Sequence, residues 1–207
     1  MKELIPVFLV TTFLIASCGS GNEQKSATDN QADCPYALVD TSVAVKWTAY
    51  KTTEKLGVSG TFDIVSVSGV RNSSDLLEMF KNASFEIPVA SINSANPDRD
   101  KKIFGYFFSN MSNTALLAGQ VLETSADKWK VGLVMNEVRD TLEFDFNESE
   151  GNIRLIGSMD LAKWNALASA DSLNQVCYDL HKGADGVSKL WPDVSLEITA
   201  RLIQDCE

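Results

Sequence analysis

Histidine is almost missing from this chain of 207 residues: His181 is the only one. A metal centre built from several imidazoles is therefore excluded, and any imidazole chemistry is confined to one place. Basic residues are also few, 18 Lys and Arg against 28 Asp and Glu, a net charge of −10 and a pI of about 4.6. No Lys/Arg cluster offsets that excess. Phosphate backbones and anionic membrane surfaces would both be repelled, which excludes nucleic acid as a partner and purely electrostatic membrane attachment. There is no internal repeat, no oxyanion-hole motif and no cysteine pair at metal-ligand spacing, so nothing calls for a metal or a cofactor.

What is present suffices for one core: 44% of residues are hydrophobic and 22% charged. The apolar run in residues 1–17, "MKELIPVFLVTTFLIAS", has signal-peptide length and is too short to span a bilayer comfortably. It ends in Ile15-Ala16-Ser17-Cys18, which resembles a bacterial lipoprotein lipobox. That resemblance implies cleavage before Cys18 and lipidation of its thiol and new amino terminus, a stable membrane anchor once two or more chains are attached. The expected location is the bacterial cell envelope, lipid-anchored at the outer membrane on its periplasmic or surface side. Residues 18–35 then form the lipidated cysteine and a tether, because 19–33 contain no large apolar residue. Residues 36–207 form the folded domain.

Within that domain the dominant signal has period two. Val43, Val45, Trp47 and Ala49 share a face, as do Val58, Gly60, Phe62 and Ile64, and Phe85, Ile87 and Val89. "LLAGQVLETS" is apolar on both faces. Four more stretches follow: Trp129, Val131, Leu133 and Met135; Leu142, Phe144 and Phe146; Ile153, Leu155, Gly157 and Met159; and Val194, Leu196, Ile198, Ala200 and Leu202. These eight strands, each mostly with one apolar face, predict an all-β fold: an eight-stranded antiparallel lipocalin-like barrel. Three helical stretches interrupt them and are expected to cap the barrel ends. "SSDLLEMFKN" opens on a Ser cap, "NPDRDKKIFGYFFSN" has Asn96 as cap and Pro97 at the first position, and "LAKWNALASADSLNQVCYDLHKG" stops at Gly183.

The arrangement resembles the YceI-like family, lipocalin-like barrels secreted by bacteria that hold a polyisoprenoid chain. "YALVDTSVAVKW", "VSGTF" (Val58 to Phe62) and "GNIRLIGSMDLAKW" match its strands. The most specific match is "FEIPVASINSANPDRDKKIFGYFF", with Ser91, Ile92, Arg99, Asp100, Phe107 and Phe108. Lys101 and Lys102 stand where the family often carries His or Leu, and the stretch from "SLNQVC" to "KLWPD" fits no general motif of the family. The resemblance implies that the barrel binds an apolar chain, a polyisoprenoid or similar lipid, for transport, storage or stress protection, without being an enzyme. It leaves a homodimer open.

The expected ligand-binding residues are Trp47, Phe62, Phe85, Ile87, Leu133, Phe144, Phe146, Met159, Leu196 and Ile198 along the bore, with Phe104, Phe107 and Phe108 beside Tyr106 as a lid. Gly and Met among these faces leave room. Arg99 and Asp100 are read as local helix-capping partners, with a polar head group as the alternative. Cys177 and His181, four residues apart, would share a helix face, with Asp179 or Asp185 to orient the imidazole of a thiol-dependent enzyme or redox sensor. The plainer reading is a small buried cysteine on the stripe Leu173, Val176, Cys177 and Leu180. A solid-core interaction module is the remaining alternative. In an antiparallel barrel the first and last strands are neighbours, so Cys34 and Cys206 are expected to form a disulfide, contributing roughly 4 kcal/mol, and Cys177 to stay free.

Overall fold

The computed structural model describes residues 34–204 and 206. The signal segment, the lipidation site Cys18 and nearly all of the tether lie outside the described residues. Eleven strand segments form one antiparallel sheet: β1 (Tyr36–Leu38), β2 (Ala44–Lys51), β3 (Leu56–Phe62), β4 (Ser66–Ser68), β5 (Ser84–Pro88), β6 (Ile92–Asn93), β7 (Leu116–Thr124), β8 (Lys128–Met135), β9 (Val138–Ser149), β10 (Asn152–Asp160) and β11 (Leu190–Gln204).

The eleven segments reduce to the eight expected strands, because three strands are interrupted. β1 and β2 pair successively along the same edge of β11, with a 3-10 turn at Asp40–Ser42 between them. β3 and β4 run against β6 and β5 respectively. The interruption there is a bend at residues 63–65 facing a 3-10 turn at Val89–Ser91, bridged by the Asp63 amide donating to the Ser91 carbonyl at 2.8 Å. Because β6 continues β5, the path β5-β7-β8-β9-β10-β11-β2-β3 returns to its start. The barrel is closed through this broken pair, which removes the exposed edges that would otherwise template aggregation. Two hairpins close tightly over positive-φ residues, Asn136-Glu137 and Glu150-Gly151, the geometry that matches the twist of the flanking strands.

"LLAGQVLETS" is apolar on both faces for a physical reason. Leu117, Gly119 and Val121 face inward, and an irregularity in the pairing between Val121 and Glu123 resets the register. Leu122 is thereby left outside, where it lies against Gly132.

Helices α1 (Leu76–Met79), α2 (Pro97–Tyr106) and α3 (Leu167–Val176) occupy the barrel ends. α1 is a single turn, capped by Asp75 rather than by a serine: the Asp75 carboxylate accepts from the amides of Leu77 and Glu78. α2 forms as read, with Asn96 accepting from the Arg99 amide at 3.0 Å and Pro97 at its first position. The third stretch breaks into a 3-10 turn at Leu161–Trp164, then α3, then a 3-10 turn at Tyr178–Leu180. The strand directions put α1 at the end where β11 finishes, and α2 and α3 together at the opposite end.

Cys34 and Cys206 are bonded, with Cα atoms 4.8 Å apart. They extend the β1–β11 register, in which Tyr36 faces Gln204, by two residues on each strand. The bridge therefore ties the start of the first strand to the finish of the last. Replacing both cysteines by alanine is expected to lower unfolding free energy by about 2–5 kcal/mol in urea titrations under oxidising conditions. Unchanged stability would show that strand pairing alone holds this seam.

Candidate functional site: an apolar bore and its mouth

The inward faces of the strands enclose a cavity of about 240 Å³. Among the described residues in its wall only Ser84 is polar in kind. Three cross-strand pairs keep it open. Gly60 lies opposite Trp47, Gly119 opposite Phe85 and Gly157 opposite Phe144. A Cβ at Gly157 would stand 2.8 Å from the Phe144 ring, and one at Gly60 or Gly119 would collide with the Trp47 or Phe85 ring. Each ring thus lies over the glycine facing it, along the wall instead of across the bore. Roughly 150 Å³ suffices for a benzene-sized guest, whereas pockets for larger ligands run from roughly 300 to 1,000 Å³. The bore as it stands admits a slender segment, and a longer chain must push side chains aside.

Eleven of the thirteen expected residues line this cavity: Trp47, Phe62, Phe85, Ile87, Phe107, Phe108, Leu133, Phe144, Met159, Leu196 and Ile198. Phe104 does not. On α2 the inward pair is Ile103 and Phe107, one turn apart, which leaves Phe104 at 42% exposure with Tyr106 also in solvent. The expected aromatic lid is therefore split: Phe107 and Phe108 pack edge to face at 5.0 Å beneath it, and Phe104 and Tyr106 stand outside. Phe146 is inward but stacks on Trp129 at 4.9 Å instead of reaching the cavity. Ile64 is turned out by the bend at 63–65, and Val65 takes its place in the wall. Phe80, just after α1, closes that end against Trp129 with ring centroids 5.2 Å apart. The indoles of Trp47, Trp164 and Trp191 each donate to a backbone carbonyl. The Trp129 N–H, boxed between two rings, is a buried side-chain donor without a partner among the described residues.

A second cavity of about 270 Å³ adjoins the bore at the α2/α3 end. The two share Trp47, Ala49, Ile103, Leu173 and Leu190 in their walls. Cys177 and His181 both face this second space, but they do not form a thiol–imidazole site. The helix expected to carry them stops at Val176, and Cys177 is its C-terminal cap. Only half of the expected stripe is buried: Leu173 and Cys177 are inside, Val176 and Leu180 outside. The imidazole Nδ1–H donates to Asn174 Oδ1 at 2.8 Å. Neither expected aspartate orients it, because Asp179 pairs with Lys182 at 3.1 Å and Asp185 accepts from Thr53 and the Val187 amide. Burial pushes the Cys177 thiol up, and the Lys102 and Lys51 ammoniums offset this only in part. A thiol held protonated is a poor nucleophile. Cys177 is the free cysteine among the described residues, as expected.

Arg99 and Asp100 follow the local reading. Arg99 donates from Nε to Ser94 Oγ and from Nη2 to the Ser94 carbonyl, both at 2.8 Å. Asp100 accepts from the Ser94 amide at 2.9 Å and from its hydroxyl.

No protein-family model matches the sequence, and none of the curated proteins matches it either. Solved structures do. A polyisoprenoid binding domain from Saccharophagus degradans, implicated in plant cell wall breakdown, superposes with a TM-score of 0.59 at 13% identity, over 83% of this chain and 99% of that one. The chain has the fold of the YceI-like barrels. BcnA of Burkholderia cenocepacia matches with a TM-score of 0.51 at 11% identity, over 78% of this chain and 96% of its own. The Campylobacter jejuni YCEI protein matches with 0.50 at 16% identity, over 72% and 86%.

Burial, with Lys51 and Lys102 nearby, lowers the His181 pKa from its ordinary 6.5 to about 4. The unfolded chain therefore takes up a proton near pH 6.5 that the folded chain refuses until about 4. The stability this neutral imidazole supports is complete above pH 6.5 and is lost as pH falls toward 4. Measured by urea unfolding between pH 7 and pH 4.5, the stability advantage of the native chain over His181→Gln is expected to shrink on acidification. An advantage independent of pH would contradict the buried, neutral imidazole.

Proposed function

We propose that this chain is a lipid-anchored envelope protein whose barrel holds one apolar chain, a polyisoprenoid or a lipid of similar shape, and carries, stores or protects it. The observation behind the proposal is the closed bore, walled by apolar side chains and kept open by rings lying over glycines. Such a bore acts by transfer of apolar surface out of water, worth about 0.8 kcal/mol for each buried methylene. Five methylenes then supply about 4 kcal/mol before ordering costs, so affinity grows with the length of chain the bore can take. No bond needs to be made or broken. The polyisoprenoid binding domain of Saccharophagus degradans gives this reading its ligand class. Anchoring rests on the sequence, on the apolar segment 1–17 and the cysteine at position 18.

The test uses the chain from residue 18 onward with Cys18→Ser, so that no covalent lipid is present, purified from an envelope-containing host. Mass spectrometry of its organic extract is expected to show one long-chain isoprenoid or acyl species at close to one per protein. An empty extract from folded, monodisperse protein would overturn the binding reading and favour a solid-core module.

A further inference from the structure

The helices at the two ends of the barrel treat their large hydrophobics differently. At the disulfide end, Leu76 and Leu77 of α1 are half-buried and Met79 is buried. At the opposite end, six large hydrophobics among the described residues are left in solvent. These are Phe104 and Tyr106 on α2, Leu167 and Val176 on α3, and Tyr178 and Leu180 in the 3-10 turn after it. Tyr178 is 52% exposed and Leu180 59%. The elements that carry them are fixed to one another. Asn110 donates from Nδ2 to the Tyr106 carbonyl at 2.7 Å and to the Ser172 hydroxyl at 2.8 Å, which ties the end of α2 to α3. The Lys51 ammonium holds the turn through the Leu180 carbonyl at 2.7 Å. A gathering of apolar side chains in solvent on a fixed frame marks a contact surface.

The make-up of this surface fits the interface of a bilayer. Its two tyrosines each join an apolar ring to a polar tip. Lys101, Lys163 and Lys182 are exposed on or beside the same elements, and such side chains lay their stems on apolar surface while the ammonium stays in water. The Lys182 Nζ already lies 4.8 Å from the centre of the Tyr178 ring. A net charge of −10 works against an anionic surface, so the matching one is zwitterionic and apolar burial supplies the binding. The length of chain ahead of the barrel brings such a surface within reach. Residues 18–33 span about 55 Å at full extension, and they join the barrel at Cys34, at the disulfide end. β11 has 15 residues; at about 3.3 Å each and a tilt of about 40°, the barrel is about 40 Å high. A tether longer than that height lets the far end meet the bilayer that holds Cys18. Contact within one tethered molecule needs little intrinsic affinity.

We propose that the exposed face of α2, α3 and the turn after α3 docks on a zwitterionic lipid surface, with the barrel turned so that this end meets the bilayer. The assignment rests on the anchoring reading for its local concentration and adds an orientation to it. Leu180 is both exposed and part of the second cavity's wall, so the docked face is continuous with the interior.

The test uses the chain from residue 18 with Cys18→Ser, which carries no covalent lipid, and phosphatidylcholine vesicles, read by flotation. Co-flotation is expected to rise with lipid and to change little with salt. The double variant Phe104→Ser/Tyr178→Ser should weaken partitioning by about tenfold. Leu122→Ser/Ile156→Ser, which alters two outward residues of the strands, should leave it within about twofold. Methyl NMR of the native sequence from residue 18, again with Cys18→Ser, in bicelles bearing a nitroxide lipid should broaden Leu167, Val176 and Leu180 and spare Ile156 and Ile203. Absence of co-flotation, equal losses in the two double variants, or broadening at Ile156 and Ile203 instead would overturn the docking face. A dimer in sedimentation that Phe104→Ser/Tyr178→Ser dissociates, with no co-flotation, would give the face to a second copy of the chain and overturn the lipid surface. The anchoring reading is read separately, from the acyl mass on Cys18 of the full chain, and an unlipidated Cys18 would overturn that reading while the vesicle result still decides the face.

Discussion

A ring of eight strands closed on itself has a radius fixed by strand number and stagger, and its interior must hold whatever side chains point inward. Everything else in this molecule answers to that constraint. The inward residues are large, and Trp47, Phe85 and Phe144 pointing straight across would fill the space. Each is paired across the sheet with a glycine, and the missing side chain lets the ring lie along the wall. The apolar lining is therefore both the hydrophobic core that stabilises the barrel and the surface of a cavity. A core that leaves space open forfeits dispersion contacts, a cost that a bound chain would recover.

The two ends of the barrel differ in kind. At one, Met79 at the end of α1 and Phe80 just after it plug the opening with fully or nearly fully buried side chains, and the disulfide joins the first strand to the last. At the other, α2 and α3 roof a second space whose wall mixes cations with an imidazole and a thiol. Partial burial there silences the chemistry that Cys177 and His181 suggest in sequence: the thiol keeps its proton, and the imidazole stays neutral with its Nδ1–H committed to Asn174. Burial of this kind withholds a nucleophile from the mouth.

The strands were legible because period-two patterning is local. Trp129, Val131, Leu133 and Met135 alternate in sequence and are all buried. The pairing of Cys34 with Cys206 was legible for a topological reason, since closure makes neighbours of the first and last strands. What escaped depends on where the regular pattern breaks. The bend at 63–65 exchanges Ile64 for Val65, and Phe104 looks equivalent to Phe107 until the helix phase is set by Ile103. The early stop of α3 turned a supposed shared face into a cap. The second cavity was the least readable part, because its Lys51, Arg99 and Lys102 come from a strand and a helix roughly fifty residues apart.

The central claim is that the bore is hollow and takes a chain from one end. It is tested most directly by methyl NMR while a linear isoprenoid alcohol is titrated into the protein. The account predicts saturation at one equivalent, with shifts at Leu133, Met159 and Ile198 inside the barrel and little change at the outward Leu122 and Ile156. Shifts confined to outward methyls, or none at all, would contradict it and make the barrel a solid core.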